Sequence, residues 1–420
     1  VTSTPLLTDE PIIGEFEALM DLTFTPEQQA FRMRLRRWLA ENLPSGWRTD
    51  GLRGFDSCEE EAVFLRDWQA RLFRDGWCGL TWPREYGGAG ATFVEQAIFN
   101  EEVARAQAPE MIGRVGINNV GPTLIAHGSE EQRRRFLPAI LSAEEIWCQL
   151  FTEPDAGSDL ARLRTRAEKD GDGYRLSGRK VWTSYAELSR WGICLARTDA
   201  SAPKREGLTY FVVDMHAPGI EIRPIRQITG TAEFSEVRLD AVYVPRDLIV
   251  GEENNGWAVA RHTLAHERGT AFLFKEQVKE KIAVDRLVEQ LRRRYANRHP
   301  VHQTLRQAVI NAYIRVEILR LLNLDTMTRL SRGEPVGATT SLKKEFRARL
   351  TQHVHETALA LQGPAAQLTR GDPHAVHHGR WQQTFLTSRH ASISGGTSEI
   401  QLNIIATQLL GLPKERGKRS

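Results

Sequence analysis

The chain has 420 residues, enough for two or three domains around a large shared core. Its 56 Lys and Arg against 53 Asp and Glu leave a net charge of +3, too small to point to nucleic acid or to an anionic membrane. Four cysteines, Cys58, Cys78, Cys148 and Cys194, are scattered with no C-x-x-C spacing, which fits reduced thiols and not a disulfide framework or a zinc site.

In chain order, residues 1–21 read as an N-terminal extension with acidic Asp9, Glu10, Glu15 and Glu17 and no basic residue, unlike a secretory or transit signal. A helical domain is expected over residues 22–147. Thr25-Pro26-Glu27-Gln28 opens a helix with a capping residue, Pro in the first turn and Gln three residues on. Phe31, Leu35, Trp38 and Leu39 then repeat at helical spacing, with Arg32, Arg34, Arg36 and Arg37 assigned to the wet side. A second helix is expected near Glu59 to Asp75, a third is capped by Thr92 with Glu95, and a fourth by Ser129 with Gln132.

From residue 148 to 255 the pattern turns strand-rich. Gly171-Asp172-Gly173 signals a hairpin, and the runs Ile193–Arg197, Leu208–Val213 and Val237–Val244 lie between Gly, Pro and Asp breaks. A small antiparallel β-barrel domain is the expectation. Residues 256–412 return to helical spacing, with Trp257–Ala296, Thr304–Arg332 and Ser341–Gln362 each long enough for the helices of a four-helix bundle. Residues 413–420 are a basic tail. No apolar run approaches the ~18 residues of a membrane span, and a soluble, cytoplasmic protein is expected. The histidines of His353-x-His355-Glu356 and His374-x-x-His377-His378 lack metal-ligand spacing and read as solvated or capping side chains, so no metal is expected. No G-x-G-x-x-G follows a strand, so a Rossmann site is not supported.

The segment Phe151-Thr152-Glu153-Pro154-Asp155-Ala156-Gly157-Ser158-Asp159 places two short hydroxylated side chains around a Pro and a Gly. Such a turn exposes backbone N–H groups that can hydrogen-bond the edge of a planar, acceptor-rich ring. It resembles the flavin-contacting T-E-P-x-A-G-S-D segment of the acyl-CoA dehydrogenase family. Three further segments carry the same resemblance: Gly79 to Gly88, Lys180-Val181-Trp182-Thr183-Ser184, and Ile393 to Gln401. The resemblance runs from about Leu22 to Leu412. It implies an α+β chain with an N-terminal helical domain, a central antiparallel β-barrel domain and a C-terminal four-helix bundle. It also implies FAD as cofactor, an acyl-CoA substrate and an electron-transfer flavoprotein as electron acceptor.

The roles it implies fall on named residues. Phe151, Thr152, Gly157 and Ser158 would line the flavin ring, Thr152 at the pyrimidine edge and Ser158 between ring and substrate. Trp182 would stack on the dimethylbenzene end and Ser184 would hydrogen-bond near N5. Thr397 and Glu399 would lie near the diphosphate and adenosine. In most members the catalytic glutamate stands where this chain has Gly395, whose backbone N–H would still hold the substrate carbonyl. A minority, including isovaleryl- and long-chain-type enzymes, carries the base on an L-x-x-E-R helix. Here that segment is Leu264-Ala265-His266-Glu267-Arg268, and Glu267 is the expected base.

The segments by which homotetrameric members grip a neighbour's flavin are degenerate. Arg293-Arg294-Tyr295-Ala296-Asn297-Arg298-His299 lacks the Phe-Gly pair of R-x-x-F-G, and Ala360 stands where Q-I-L-G-G would place Gln. This resembles one subunit of the α2β2-type bacterial enzymes, some of which act on steroid side chains, so a homologous partner chain is expected, or else a homo-oligomer. Two alternatives stay open on the sequence: an oxygen-using flavin oxidase of similar fold, and a non-catalytic partner subunit.

Overall fold

A computed structural model describes residues 24–47, 55, 57–268, 274–296 and 302–414. The N-terminal part holds helices α1 (Pro26–Asn42), α2 (Cys58–Arg74), α3 (Phe93–Arg105), α4 (Gly121–His127) and α5 (Glu130–Ser142). Three start as expected, with reciprocal capping boxes at Thr25 and Gln28, Thr92 and Glu95, and Ser129 and Gln132. Phe31, Leu35 and Leu39 are buried on α1. Of the four arginines assigned to the wet side, Arg34, Arg36 and Arg37 are exposed, and only Arg32 departs, being half-buried. Arg32 and Arg36 both reach Glu102, which is 3% exposed on α3, at 3.2 and 2.7 Å. Their cations compensate a carboxylate that burial alone would disfavour.

Seven strands follow: β1 (Trp147–Leu150), β2 (Arg166–Asp170), β3 (Gly173–Ser184), β4 (Trp191–Arg197), β5 (Leu208–Asp214), β6 (Ile220–Ile225) and β7 (Phe234–Pro245). They form one curled sheet in the order β1-β4-β2-β3-β7-β6, with β5 on β4. The expected all-antiparallel barrel is corrected in one respect: β1 and β2 both pair with β4 in parallel. The hairpin at Gly171-Asp172 joins β2 to β3 as expected.

Strands β4 and β5 read as nearly unbroken apolar runs because both faces are covered. Successive side chains point to opposite faces. Trp191, Ile193, Leu195, Leu208, Tyr210 and Val212 therefore join the core shared with the N-terminal helices, while Cys194, Ala196, Phe211 and Val213 join a second core on the other face. Cys78, Cys148 and Cys194 are buried free thiols; the Cys58 side chain lies outside the described residues.

The C-terminal part holds α6 (Gly256–Arg268), α7 (Lys275–Ala296), α8 (Gln303–Ser331), α9 (Thr339–Gln362), α10 (Arg380–Ser388) and α11 (Ser398–Ile404). Helices α7, α8 and α9 pack around Val284, Leu287, Val309, Val316, Leu350 and Val354. The run expected as Trp257–Ala296 is described as two helices, α6 and α7. No described helix is long and apolar enough to cross a membrane, and no cluster of three or more metal-ligating side chains occurs among the described residues. His355 is not solvated as expected. It is 8% exposed, packs against Trp381 and shares a hydrogen bond with the Thr384 hydroxyl.

Candidate functional site

The loop 151–158 and strand β3 are brought together by a defect in the sheet. Along the β3–β7 pairing, Lys180 faces Val237 and Thr183 faces Ser235, so β3 carries one residue more than its partner between these points. Such a bulge twists a strand and re-aims a side chain. Trp182 within it takes a left-handed φ of 61°, and its indole is 57% exposed, touching the Phe234 ring edge-on at 6.2 Å. The bulge also releases the Val181 N–H, which donates to the Thr152 carbonyl at 2.9 Å. Thr152 and Trp182 are thereby fixed side by side.

Beneath them lies a group that sequence reasoning passed over. Lys180 is fully buried, and its ammonium donates to the Phe151 carbonyl (3.2 Å), the Leu195 carbonyl (2.8 Å) and the Glu153 carboxylate (3.0 Å). Glu153 in turn accepts from the Arg164 N–H, the Thr165 N–H and the Thr165 hydroxyl at 2.6, 2.8 and 2.5 Å. Burial alone would push the Glu153 carboxyl up. The Lys180 charge and these donors outweigh it and hold the carboxyl below its ordinary range. The signal was present in the sequence, since both residues belong to the two segments that carry the family resemblance.

Phe151 is buried with its ring edge-on to Tyr210, while Gly157 and Ser158 are exposed and Thr152 and Ser184 half-buried. An exposed indole beside half-buried hydroxyls is a wall that a flat, acceptor-rich ring would cover. In this respect the residues fit a flavin.

Gly395, Thr397 and Glu399 lie in the C-terminal part, and no described hydrogen bond or ion pair joins them to the Thr152–Trp182 pair. Gly395 has a left-handed φ of 64° with open space around its Cα, and its N–H makes no hydrogen bond to another described residue. Its carbonyl accepts from the Gln401 side chain at 3.0 Å, and the adjacent Gly396 carbonyl accepts from Lys344 at 2.5 Å. The Thr397 hydroxyl caps α11 by accepting from the Ile400 N–H at 3.3 Å, and Glu399 is exposed in its first turn.

Position 267 lies in the last turn of α6; the Glu267 side chain lies outside the described residues. One turn earlier on α6, the Thr263 hydroxyl meets Thr123 of α4 at 2.9 Å and Tyr210 of β5 at 3.1 Å, all three buried. Helix α6 is thus seated where the N-terminal helices and the sheet join.

Helices ahead of the sheet, a curled sheet with an outward Trp at a bulge, and a helical bundle behind it define the acyl-CoA dehydrogenase architecture. The acyl-CoA dehydrogenase N-terminal, middle and C-terminal domain models match residues 25–144, 148–242 and 254–410. The chain belongs to the acyl-CoA dehydrogenase family, whose members are FAD flavoproteins. It is 40% identical over 389 residues to acyl-CoA dehydrogenase IpdE1 of Mycobacterium tuberculosis, spanning 92% of this chain and 98% of that protein. Among solved structures it is similar to the steroid ACAD Tcur3481-Tcur3483, with a TM-score of 0.82 and 31% identity, covering 94% of this chain and all of that one. It is also similar to the ChsE4-ChsE5 complex from Mycobacterium tuberculosis, with a TM-score of 0.80 and 30% identity over 94% of this chain and 100% of that one.

Proposed function

We propose that this chain is the flavin-holding, catalytic subunit of a two-chain acyl-CoA dehydrogenase that introduces an α,β double bond into a thioester. The bulge that sets the exposed Trp182 against Thr152 carries the reading, because it presents a ring-sized apolar wall edged by hydroxyls. Thr152, Ser158 and Ser184 would orient the flavin edge, with Phe151 and Gly157 shaping the turn. Thr397 and Glu399 would face its diphosphate end. Bound FAD supplies the hydride acceptor, and the electrons leave to an electron-transfer flavoprotein.

The protein's own work is proton removal and charge stabilisation. Glu267 takes the α-proton of the thioester. A carboxylate is a weak base for such a proton in water, so the step depends on donors placed at the carbonyl oxygen, where enolate charge develops. The Gly395 N–H, without a partner among the described residues, is available for that role. Glycine at this place also suits its left-handed backbone.

A homologous chain is the proposed partner. The Tcur3481-Tcur3483 and ChsE4-ChsE5 relatives are each solved as two-chain assemblies, and the first is named a steroid enzyme, which makes a steroid-derived acyl-CoA the substrate class to try first. The test is Glu267→Gln in the flavin-loaded complex, with flavin reduction by acyl-CoA followed anaerobically. Turnover should drop by roughly 10²- to 10⁴-fold with acyl-CoA binding little changed. Near-normal flavin reduction would transfer the base to another residue or to the partner, and prompt reoxidation of the reduced flavin by air would identify an oxidase instead.

A further inference from the structure

The two glycines at the proposed carbonyl site stand in a turn that nothing local stiffens. Gly395 and Gly396 have φ of 64° and 95°, a range that glycine samples freely. Neither donates its N–H to another described residue, so no backbone bond of the turn's own holds it. Backbone bonds resume on either side, from the Ser394 N–H to the His390 carbonyl and from the Gln401 N–H to the Thr397 carbonyl, both at 2.9 Å. Side chains grip the turn instead. Along α9, Glu356 pairs with Arg389 at 2.7 Å, the Gln352 amide donates to the Ser392 hydroxyl at 3.2 Å, and the Lys344 ammonium donates to the Gly396 carbonyl at 2.5 Å. Steps of four and eight residues put these three side chains on one side of the helix. From α11, the buried Gln401 amide donates to the Gly395 carbonyl at 3.0 Å and reaches the Gly396 carbonyl at 3.5 Å. A Cβ at position 396 would come within 2.4 Å of that amide, so this grip itself requires glycine there.

We infer that Lys344 is a positioning residue for the chemistry: by holding the Gly396 carbonyl it keeps the Gly395 N–H aimed at the thioester oxygen as charge develops there. This deepens the reading of the chain as an acyl-CoA dehydrogenase and rests on it. A peptide unit is planar and trans, so its carbonyl and its N–H point opposite ways. With the carbonyls of Gly395 and Gly396 both held, the peptide planes on either side of Gly396 stop turning, and the Gly395 N–H keeps its direction. A donor to a developing oxyanion is worth most when its place is set before the reaction; one that must be ordered during it loses that advantage. Gln401 alone does not secure this, because it moves with α11, the short helix into which the turn leads. Lys344 ties the turn to α9, a helix of 24 residues packed into the core of the bundle. The Gly396 carbonyl is the one hydrogen-bond acceptor of the Lys344 ammonium among the described residues.

The experiment uses the flavin-loaded complex with two probes. The first is a saturated acyl-CoA, which reads kcat and KM. The second is a 3-oxoacyl-CoA of equal chain length, whose β-carbon has no hydride to give, so it stops at the enolate, and the bound enolate is titrated by its absorbance. Lys344→Met should lower kcat by roughly 10- to 100-fold with KM little changed, the effect of a displaced donor. The same loss should raise the pH midpoint for ionisation of the bound 3-oxoacyl-CoA by about one to two units. Lys344→Arg keeps both charge and donor and should restore most of each, which a mere packing role would not do. Should Lys344→Met fold poorly, judged by flavin content and thermal unfolding, Lys344→Gln takes its place, since it falls short of the carbonyl but stays polar. Oxidation of the saturated thioester with both kcat and the enolate midpoint unchanged in the folded variant overturns the inference and leaves the dehydrogenase reading standing. If the unmutated complex oxidises no acyl-CoA, the dehydrogenase reading fails, and the enolate titration still decides on Lys344. A midpoint raised in the variant supports its role; an unmoved midpoint, or a 3-oxoacyl-CoA that does not ionise on the unmutated complex, overturns it.

Discussion

At the scale of single residues, the Lys180–Glu153 pair shows how this fold holds a loop that must stay exposed. Three ammonium hydrogens meet three acceptors, and the carboxylate is met by Lys180 and three further donors, so neither charge is left wanting in a dry setting. Removing one partner is costlier than the pair is worth, because the other charge stays buried. Lys180→Met should therefore lower stability by about 3–5 kcal/mol and weaken flavin retention, read by denaturant unfolding and by flavin absorbance after gel filtration. Unchanged stability with full flavin content would show that the loop is held by other means. The pH dependence has a definite sign. The Glu153 carboxyl is depressed on folding, so its contribution is present above the ordinary carboxylate range and fades as pH falls through the folded value. Lys180→Met should flatten that acid limb.

Among elements, local signals and tertiary context divide cleanly. The three capping boxes were legible because a hydroxyl and a Glu or Gln three residues apart satisfy orphan N–H groups without help from the rest of the chain. Thr152 and Trp182, which the structure holds side by side, lie in two contiguous segments that the sequence already singles out. Strands β1 and β6 were not singled out, β1 because four residues give no period and β6 because it alternates weakly at an edge. The bulge at Trp182 has no local sign, for it exists only in the register against β7. The junction of α4, α6 and β5 is equally non-local. Thr123, Thr263 and Tyr210 bring one hydroxyl each from three parts of the chain into one buried cluster. Thr263→Val keeps the shape but removes the hydroxyl they share. It should cost about 1–3 kcal/mol, whereas Tyr210→Phe, which removes its own polar atom, should cost less. Equal and negligible losses in both variants, measured by thermal unfolding, would mean that the cluster contributes no coupling between the parts.

For the molecule as a whole, the surface that needs covering lies on the C-terminal helices. Ile310, Ile314, Ile318 and Leu321 recur along α8 at helical spacing and are 40, 51, 39 and 41% exposed, with Tyr313 beside them at 45%. A contiguous apolar stripe of this kind on a helix marks an interaction face. Like faces on two homologous chains could meet here, burying what neither buries alone. The segments associated with a neighbour's flavin argue against four equal copies. Tyr295 is exposed where the resemblance asks for a Phe-Gly pair, and Ala360 offers only a methyl, also exposed, where a Gln would extend. We therefore expect a heteromer with a homologous chain, with fewer flavins than chains, and a flavin-poor or weakly associated state when this chain is produced alone. Mass in solution and the flavin-to-protein ratio measure both. Ile314→Glu with Ile318→Glu places two carboxylates into the proposed contact and should dissociate the assembly while leaving the fold of the chain intact, since neither side chain belongs to the buried core of the bundle. A stable homotetramer carrying one FAD per chain, or an assembly indifferent to both substitutions, would remove the basis for a two-chain enzyme.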